Sequence, residues 1–542
     1  MNERVKESFW VRWGVVLALG AAAVLKAFLL GAERVPFNAD EAIVALMARH
    51  ILQGARPLFF YGQAYLGSLD AWLLAGGFAI FGQKVWVIRL VQGLLYLGTI
   101  WTTAKVGEKI FSRRVGILAA WLLAIPAVNV TLYTTATLGG YGEALLIGNL
   151  VLLLVLGMVD VGRIANLASW FGFGWLVGFG LWVFGLTLIF SVPAGLFLLW
   201  HLSALRLRKA STQGPQQIST WLKPILGAGI GFLLGAFPYW LGAFQLGGDR
   251  VVAELGGSAI AGVAGGGWLE QVGQHVVSLI LLGTSVIFGI RPPWEVRWLG
   301  LPFVPFILMF WGWVLVGIFR MRKTAEQGLL IGVMLMLVAG FVLTPFGADP
   351  SGRYFLPLAV PLALFGAAAV MGIKNPRGRW ALILLVLGYH LIGTVQAVSK
   401  NPPGITTQFD AVTWLDKSYD DELIAFLQEH GETRGYTNYW VAYPLAFLSN
   451  EALIFVPELP YHLDFRHTTR DNRYAPYNDL VEQAERVAYI TTPTTNPYPL
   501  DDRLRAGFAD LGVSWDETEI GNYHVFYNLS RPVRPAELDL MP

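Results

Sequence analysis

Three groups of polar residues interrupt an otherwise apolar chain, and their types suit group transfer from a phosphate. The first is the Asp40–Glu41 pair in NADEAIVALMARH; the second is Tyr133, Tyr141 and Glu143 in TLYTTATLGGYGEALLIG. The third is Asp349, Arg353 and Tyr354 in FGADPSGRYFLPLAVP. A carboxylate within reach of an acceptor hydroxyl can take its proton. A guanidinium can hold a phosphate and the charge that develops on it. Each group also has a structural reading. Asn38 followed three residues later by Glu41 has capping-box spacing, and acids in a first helical turn gain about 0.3–1 kcal/mol from the helix dipole. Glu143 can equally be the dipole-favoured start of a helix, and Arg353 an interfacial anchor with its head in water. Cap chemistry explains Glu41 well and Asp40 only in part.

The elements that must position these groups are membrane spans. The chain has 542 residues, 55% hydrophobic and 14% charged, and its mean hydropathy is +0.53. Its apolar residues gather in blocks about 20 long, the length that crosses a bilayer core. A net charge of +2 and the lack of a basic, aromatic-interleaved run give no support for nucleic-acid binding. There are no cysteines, which excludes disulfides, thiolate catalysis and Cys-ligated metals. The segment WGVVLALGAAAVLKAFLLGA is longer than a signal-peptide core and reads as a retained first span.

Further apolar segments fall near 66–82, 85–104, 115–132, 143–160, 168–184, 186–204, 224–245, 273–290, 298–319, 328–346, 354–373 and 379–398. Basic clusters at Lys105–Arg114, Arg206–Lys209, Arg320–Lys323 and Lys374–Arg379 belong on the cytoplasmic side with the N-terminus. That parity makes 66–82 and 273–290 non-crossing elements and leaves about eleven spans. The domain expectation is a transmembrane catalytic domain over 1–398, with a first outer loop at 32–84 and a long outer loop at about 246–297. Residues 399–542 form an extracytoplasmic soluble α/β domain. Within it, 420–458 reads as an amphipathic helix, a turn and two strand-like stretches, and RVAYITTP and NYHVFYNL read as strands. Asp40, Glu143 and Arg353 then share the outer face, where ionisable residues are functional candidates by default.

Smaller features carry less. Lys26 lies near the outer end of the first span and is expected to snorkel. His50 is expected to face the membrane interface, and Asp70 to sit at headgroup level. His462 and His467 have no metal-binding spacing. Trp414, Tyr436, Tyr439, Trp440 and Tyr443 offer sugar-stacking surfaces, although aromatics so spaced are as readily core.

With these residues on the page, the order of motifs resembles a known family. DEA after the first span is followed by YGQAYLGSLDAWLLAGGFAIFG, then VIRLVQGLLYLGTIWTTAKVGEKIFSRRVGILAAWLLAIPA, and far downstream GRYFLPLAVPLALFGAA. This resembles the protein O-mannosyltransferase and aminoarabinose-transferase group of GT-C membrane glycosyltransferases, mainly over the first 160 residues or so. The resemblance implies an enzyme that moves one sugar, with inversion, from a polyprenyl-phosphate donor to an acceptor hydroxyl or phosphate at the outer face of the plasma membrane. No cofactor is required, though paired acids could take a divalent cation through oxygen ligands. The partners implied are the lipid-linked donor, a lipid, glycan or protein acceptor, and the membrane lipid itself. It assigns Asp40 as base or acceptor-positioning group with Glu41 in support, brings Glu143 to the site, and places Arg353 and Tyr354 near the donor phosphate. The family's Lys-Pro-Pro is absent, so Tyr61, Gln63 and Tyr65 would orient substrates by neutral hydrogen bonds, beside Tyr133 and Tyr141. Two other classes stand beside this one. A transporter or flippase would show inverted repeats and ionisable groups deep in several spans, and a surface-glycan-binding protein would need far fewer spans.

Overall fold

The computed structural model describes residues 9–162, 166–213, 219–254, 256, 266–321, 324–349, 351–399, 405–406, 415–461, 469–492 and 500–540. Trp414, His462 and His467 lie outside the described residues. The chain divides into two compact units: 1–32 with 64–70 and 89–399, and 33–63 with 71–88 and 400–542.

The first unit is a multi-pass helical membrane body. Among the described residues, eight helices are long and apolar enough to cross a bilayer, and the bent pair Leu222–Gly235 and Phe237–Leu246 makes a ninth if it is one span. The other two of the eleven expected segments are also helical. Leu167–Val183 is an apolar helix of 17 residues, just under spanning length. The segment 115–132 is split into Arg113–Ala124 and Val128–Tyr133 around Pro126, a residue that cannot donate to the helical ladder. Leu69–Phe81, assigned from residue 71 on to the second unit, has 13 residues, and 273–290 is broken into short pieces by a π-turn at Leu279–Gly283.

Helices in lipid gain no hydrophobic drive from meeting each other, so close backbone approach through small residues does the packing. The clearest case joins Leu167–Val183 to Ser219–Gly235. Gly227, Gly231 and Gly235 recur every fourth residue on one helix, with Gly174 and Gly178 on the other. A Cβ built on Gly231 would lie 2.1 Å from the Phe171 carbonyl oxygen, and one on Gly174 would lie 2.0 Å from that of Ala228.

Lys26 does not snorkel. It is 8% exposed, and its Nζ donates to the Thr131 carbonyl at 3.1 Å and to the Thr134 hydroxyl at 2.7 Å. The reason is local: the Val128–Tyr133 helix and the threonines after it offer acceptors that an apolar neighbour would not, and a buried ammonium needs such partners.

The second unit is α/β. Its sheet has the order Ile454–Pro457, Arg434–Thr437, Ala488–Thr491, Tyr523–Tyr527, Asp516–Ile520. The first three strands are parallel and the last two pairings antiparallel, with Gly435 opposite Phe455 and Ala488, and Tyr489 opposite Phe526. The reading of 420–458 needs one correction. Asp420–Glu429 is the amphipathic helix and Arg434–Thr437 a strand, but Tyr439–Leu448 is a helix. Asn438 turns the chain, its side chain accepting from the Trp440 N–H at 3.0 Å as an N-cap does. Tyr436, Tyr439, Trp440 and Tyr443 are all buried, so they are core and not sugar-stacking surfaces.

Candidate active site

In the second unit, Asp40 and Glu41 open the helix Ala39–Leu52. The Asn38 side chain accepts from the Glu41 N–H at 3.1 Å and donates to the Glu41 carboxylate at 3.0 Å. Glu41 is fully buried, and this cap occupies it. Asp40 points elsewhere. It is half-buried, and its Oδ1 accepts a 2.6 Å hydrogen bond from the phenol of Tyr439. Among the described residues, no hydrogen bond reaches its Oδ2.

Tyr439 was not identifiable as a site residue from its spacing, yet its position follows from the fold. The parallel strand Arg434–Thr437 ends, Asn438 caps the next helix, and Tyr439 is that helix's first residue. Side chains at the carboxyl ends of parallel strands are where α/β folds commonly place ligand contacts. Burial pushes the Tyr439 phenol well above its ordinary range, and the neighbouring Asp40 charge adds to this, so the hydroxyl remains a donor. The Arg473 guanidinium lies 5.6 Å from the Tyr439 ring centroid. Gln63, with its amide oxygen turned toward Arg473, accepts from both terminal nitrogens at 2.6 and 3.0 Å.

One helical face further along, His50 and Tyr61 join a second network. His50 Nε2 is 2.9 Å from the Glu451 carboxylate and its Nδ1 is 3.0 Å from the Tyr61 hydroxyl. A carboxylate only accepts, so a neutral His50 carries its proton on Nε2 and accepts from Tyr61. Tyr477 donates to the same Glu451 oxygen at 2.7 Å, and Arg49 lies 3.5 Å from the other. Burial alone would raise the Glu451 carboxyl, but His50, Tyr477 and Arg49 outweigh it and hold it below its ordinary range. His50 is thus buried, 6% exposed, and not at a membrane interface. The expectation failed because its partner Glu451 is 401 residues away in the chain.

In the first unit, Tyr65, Tyr133, Tyr141, Arg353 and Tyr354 come together. The Tyr141 ring is 6.4 Å from each of Tyr133 and Tyr354, and the Arg353 guanidinium carbon is 5.1 Å from the Tyr354 centroid. Arg353 is not a snorkelling anchor: its Nε meets the Asp349 carboxylate. Tyr65 and Tyr354 line a cavity of about 210 Å3 whose other walls include Phe184, Ile189, Leu337 and Phe341. The space is apolar with phenols at its edge, the character of a site for a hydrocarbon chain ending in a polar group.

Glu143 belongs to a buried acid pair. It is 2% exposed and Asp70 3% exposed. Asp70 accepts from the Gln92 amide at 2.9 Å and from the Thr137 hydroxyl. Glu143 lies beside Asp70, and among the described residues neither of its carboxylate oxygens has a hydrogen-bond partner. Asp70 is thus buried inside the protein. The chain reaches this arrangement through Gly140, whose φ of +82° starts the Tyr141–Asp160 helix in a conformation that favours glycine. Among the described residues there is no group of three or more metal-ligating side chains.

Residues 68–233 match the family model described as dolichyl-phosphate-mannose-protein mannosyltransferase. Among solved structures, the chain is similar to ArnT from Cupriavidus metallidurans bound to undecaprenyl phosphate, at 13% identity over 99% of both chains and a TM-score of 0.54. The apo state of that protein matches at 14% identity over 95% of this chain and 97% of the other, with a TM-score of 0.56. An oligosaccharyltransferase from Archaeoglobus fulgidus is similar over 90% of this chain and 70% of its own, at 13% identity and a TM-score of 0.49. No curated protein sequence matches. The fold is thus ArnT-like: a polytopic helical body with a small C-terminal sheet domain.

Proposed function

Starting from a chain that resembles the GT-C membrane glycosyltransferases of the protein O-mannosyltransferase and ArnT kind, we propose that it transfers a single sugar from a polyprenyl-phosphate donor to an acceptor hydroxyl or phosphate. Transfer takes place at the outer face of the membrane, with inversion. The observation that carries this reading is Asp40: Oδ1 is held by the buried phenol of Tyr439 at 2.6 Å, and Oδ2 remains for a substrate. One fixed oxygen and one open oxygen suit a base that must be aimed.

For a hydroxyl acceptor the step balances as a single displacement. The acceptor hydroxyl gives its proton to Asp40 Oδ2 while its oxygen bonds to the anomeric carbon. The bond from that carbon to the donor phosphate oxygen breaks, and the electron pair leaves with the phosphate. Asp349 meets Arg353 at Nε, so the two terminal nitrogens of the guanidinium are the ones a leaving phosphate would meet. The apolar cavity lined by Tyr65 and Tyr354 suits the first isoprene units of the donor. Glu41, committed to the helix cap, supports Asp40 by fixing the first turn. Glu143 lies beside Asp70 in the first unit, and the resemblance alone assigns it to the site. Tyr61 and Gln63 act through His50 and Arg473. Tyr133 and Tyr141 pack against Tyr354.

The test uses membranes containing the full chain and a radiolabelled polyprenyl-phosphate sugar. Asp40→Asn, which keeps the shape and loses the base, is expected to slow transfer to a hydroxyl acceptor by about 100-fold or more while the protein folds normally. Transfer at the unmutated rate by that variant would overturn the assignment.

A further inference from the structure

A second cavity, of about 350 Å3, lies in the first unit where four helix ends meet. Phe9–Gly31, Arg113–Ala124 and Pro376–Ser399 start there and Ala359–Met371 ends there, and Trp10, Arg114, Met371 and Arg379 from these ends line it. None of these residues takes part in the glycosyl-transfer chemistry.

Its lining is of two kinds. One wall is apolar, with Leu118 and Leu384 on it, and Leu384 is 67% exposed along the outside of the helix. The other carries hydrogen-bond donors. Arg379 is pinned by one terminal nitrogen, which donates to the Ile373 carbonyl at 2.7 Å. Its Nε is buried, as is the Trp121 indole Nε1, and neither meets an acceptor among the described residues. Both line this one cavity. Arg114 adds a second guanidinium, and three helix N-termini against one helix C-terminus leave a net positive helix-end contribution.

We propose that this cavity binds an anionic phospholipid of the surrounding leaflet. The phosphate sits between Arg114 and Arg379, and an acyl chain follows the Leu118–Leu384 wall. The two guanidinium groups favour an anionic ligand, and the open apolar wall favours one with a hydrocarbon tail. A free phosphate would leave that wall without a partner. Basic pockets between helix ends are recognised lipid-headgroup sites.

The experiment is native mass spectrometry of the full-length protein released from phosphatidylcholine nanodiscs containing a graded fraction of phosphatidylglycerol. The expected result is one retained phosphatidylglycerol in preference to phosphatidylcholine. In R114Q/R379Q that retention weakens about 30-fold, the scale for two basic groups facing an anionic lipid. Equal retention of the two lipids by the unmutated protein overturns the proposal whether or not the double variant folds. So does unchanged retention in a folded double variant. Displacement of the retained lipid by added polyprenyl phosphate would reassign the cavity to the donor, and would also overturn it.

Discussion

Removing the Tyr439 hydroxyl isolates the contact on which the proposed chemistry depends. Tyr439→Phe keeps the ring, with its edge contacts to Trp440 at 5.2 Å and Tyr443 at 5.6 Å and the Arg473 guanidinium above it at 5.6 Å. The loss is the 2.6 Å hydrogen bond to Asp40. A hydrogen bond to a charged group contributes about 1.5–3 kcal/mol. At about 1.4 kcal/mol per tenfold in rate, its full use in aiming the base predicts a fall in kcat of about 10- to 150-fold. KM for the lipid donor should stay within about twofold, because the contact aims the base and does not hold the donor. Folding should change by less than about 1 kcal/mol, since Asp40 is half-buried and water can replace the phenol. The assay is initial-rate transfer from a labelled polyprenyl-phosphate sugar, in the unmutated and Asp40→Asn backgrounds. If Tyr439 acts through Asp40, the hydroxyl deletion has little further effect on the residual rate of Asp40→Asn. An unmutated kcat in Tyr439→Phe would refute the reasoning, and so would an equal fractional loss in both backgrounds.

Other outcomes follow from the same geometry. Glu143 is buried beside Asp70, so Glu143→Gln, which keeps its volume, should leave thermal stability within about 1 kcal/mol, whereas Glu143→Ala leaves a cavity and should lower it by about 1–3 kcal/mol; thermal unfolding in detergent distinguishes them. Gly231→Ala drives a Cβ to 2.1 Å from the Phe171 carbonyl oxygen, so the two helices must part, with an expected loss of about 1–3 kcal/mol in the same assay. Glu451 is held below its ordinary range in the folded protein, so its contribution to stability is complete above about pH 4.3 and is lost as pH falls through the lowered folded value. Glu451→Gln should therefore be less stable at neutral pH and show a shallower acid-side decline in melting temperature.

Much of the architecture was legible without coordinates because membrane insertion is a one-dimensional rule. Apolar runs of about 20 residues must pair their backbone groups internally, so they become helices wherever they fall. The Asn38–Glu41 cap was legible for a similar reason, since its partners are three residues apart and need nothing from the rest of the fold. The same limits mark where sequence reading failed. Tyr439–Leu448 was read as strand-like because its aromatic and branched residues suit either state, and the capping Asn438 and burial on all sides decide for helix.

By itself, the amino-acid sequence determined the membrane body, the candidate acids and the arginine, through composition and short-range spacing. Only the tertiary structure decided what those groups touch. Asp40 meets Tyr439 across 399 residues, His50 meets Glu451 across 401, and Asp70 meets Thr137 across 67. Such partners are chosen by where strands end and helices cross. A carboxylate reads the same in sequence whether its neighbour is a phenol, a second carboxyl group or water, and its chemistry differs in each case.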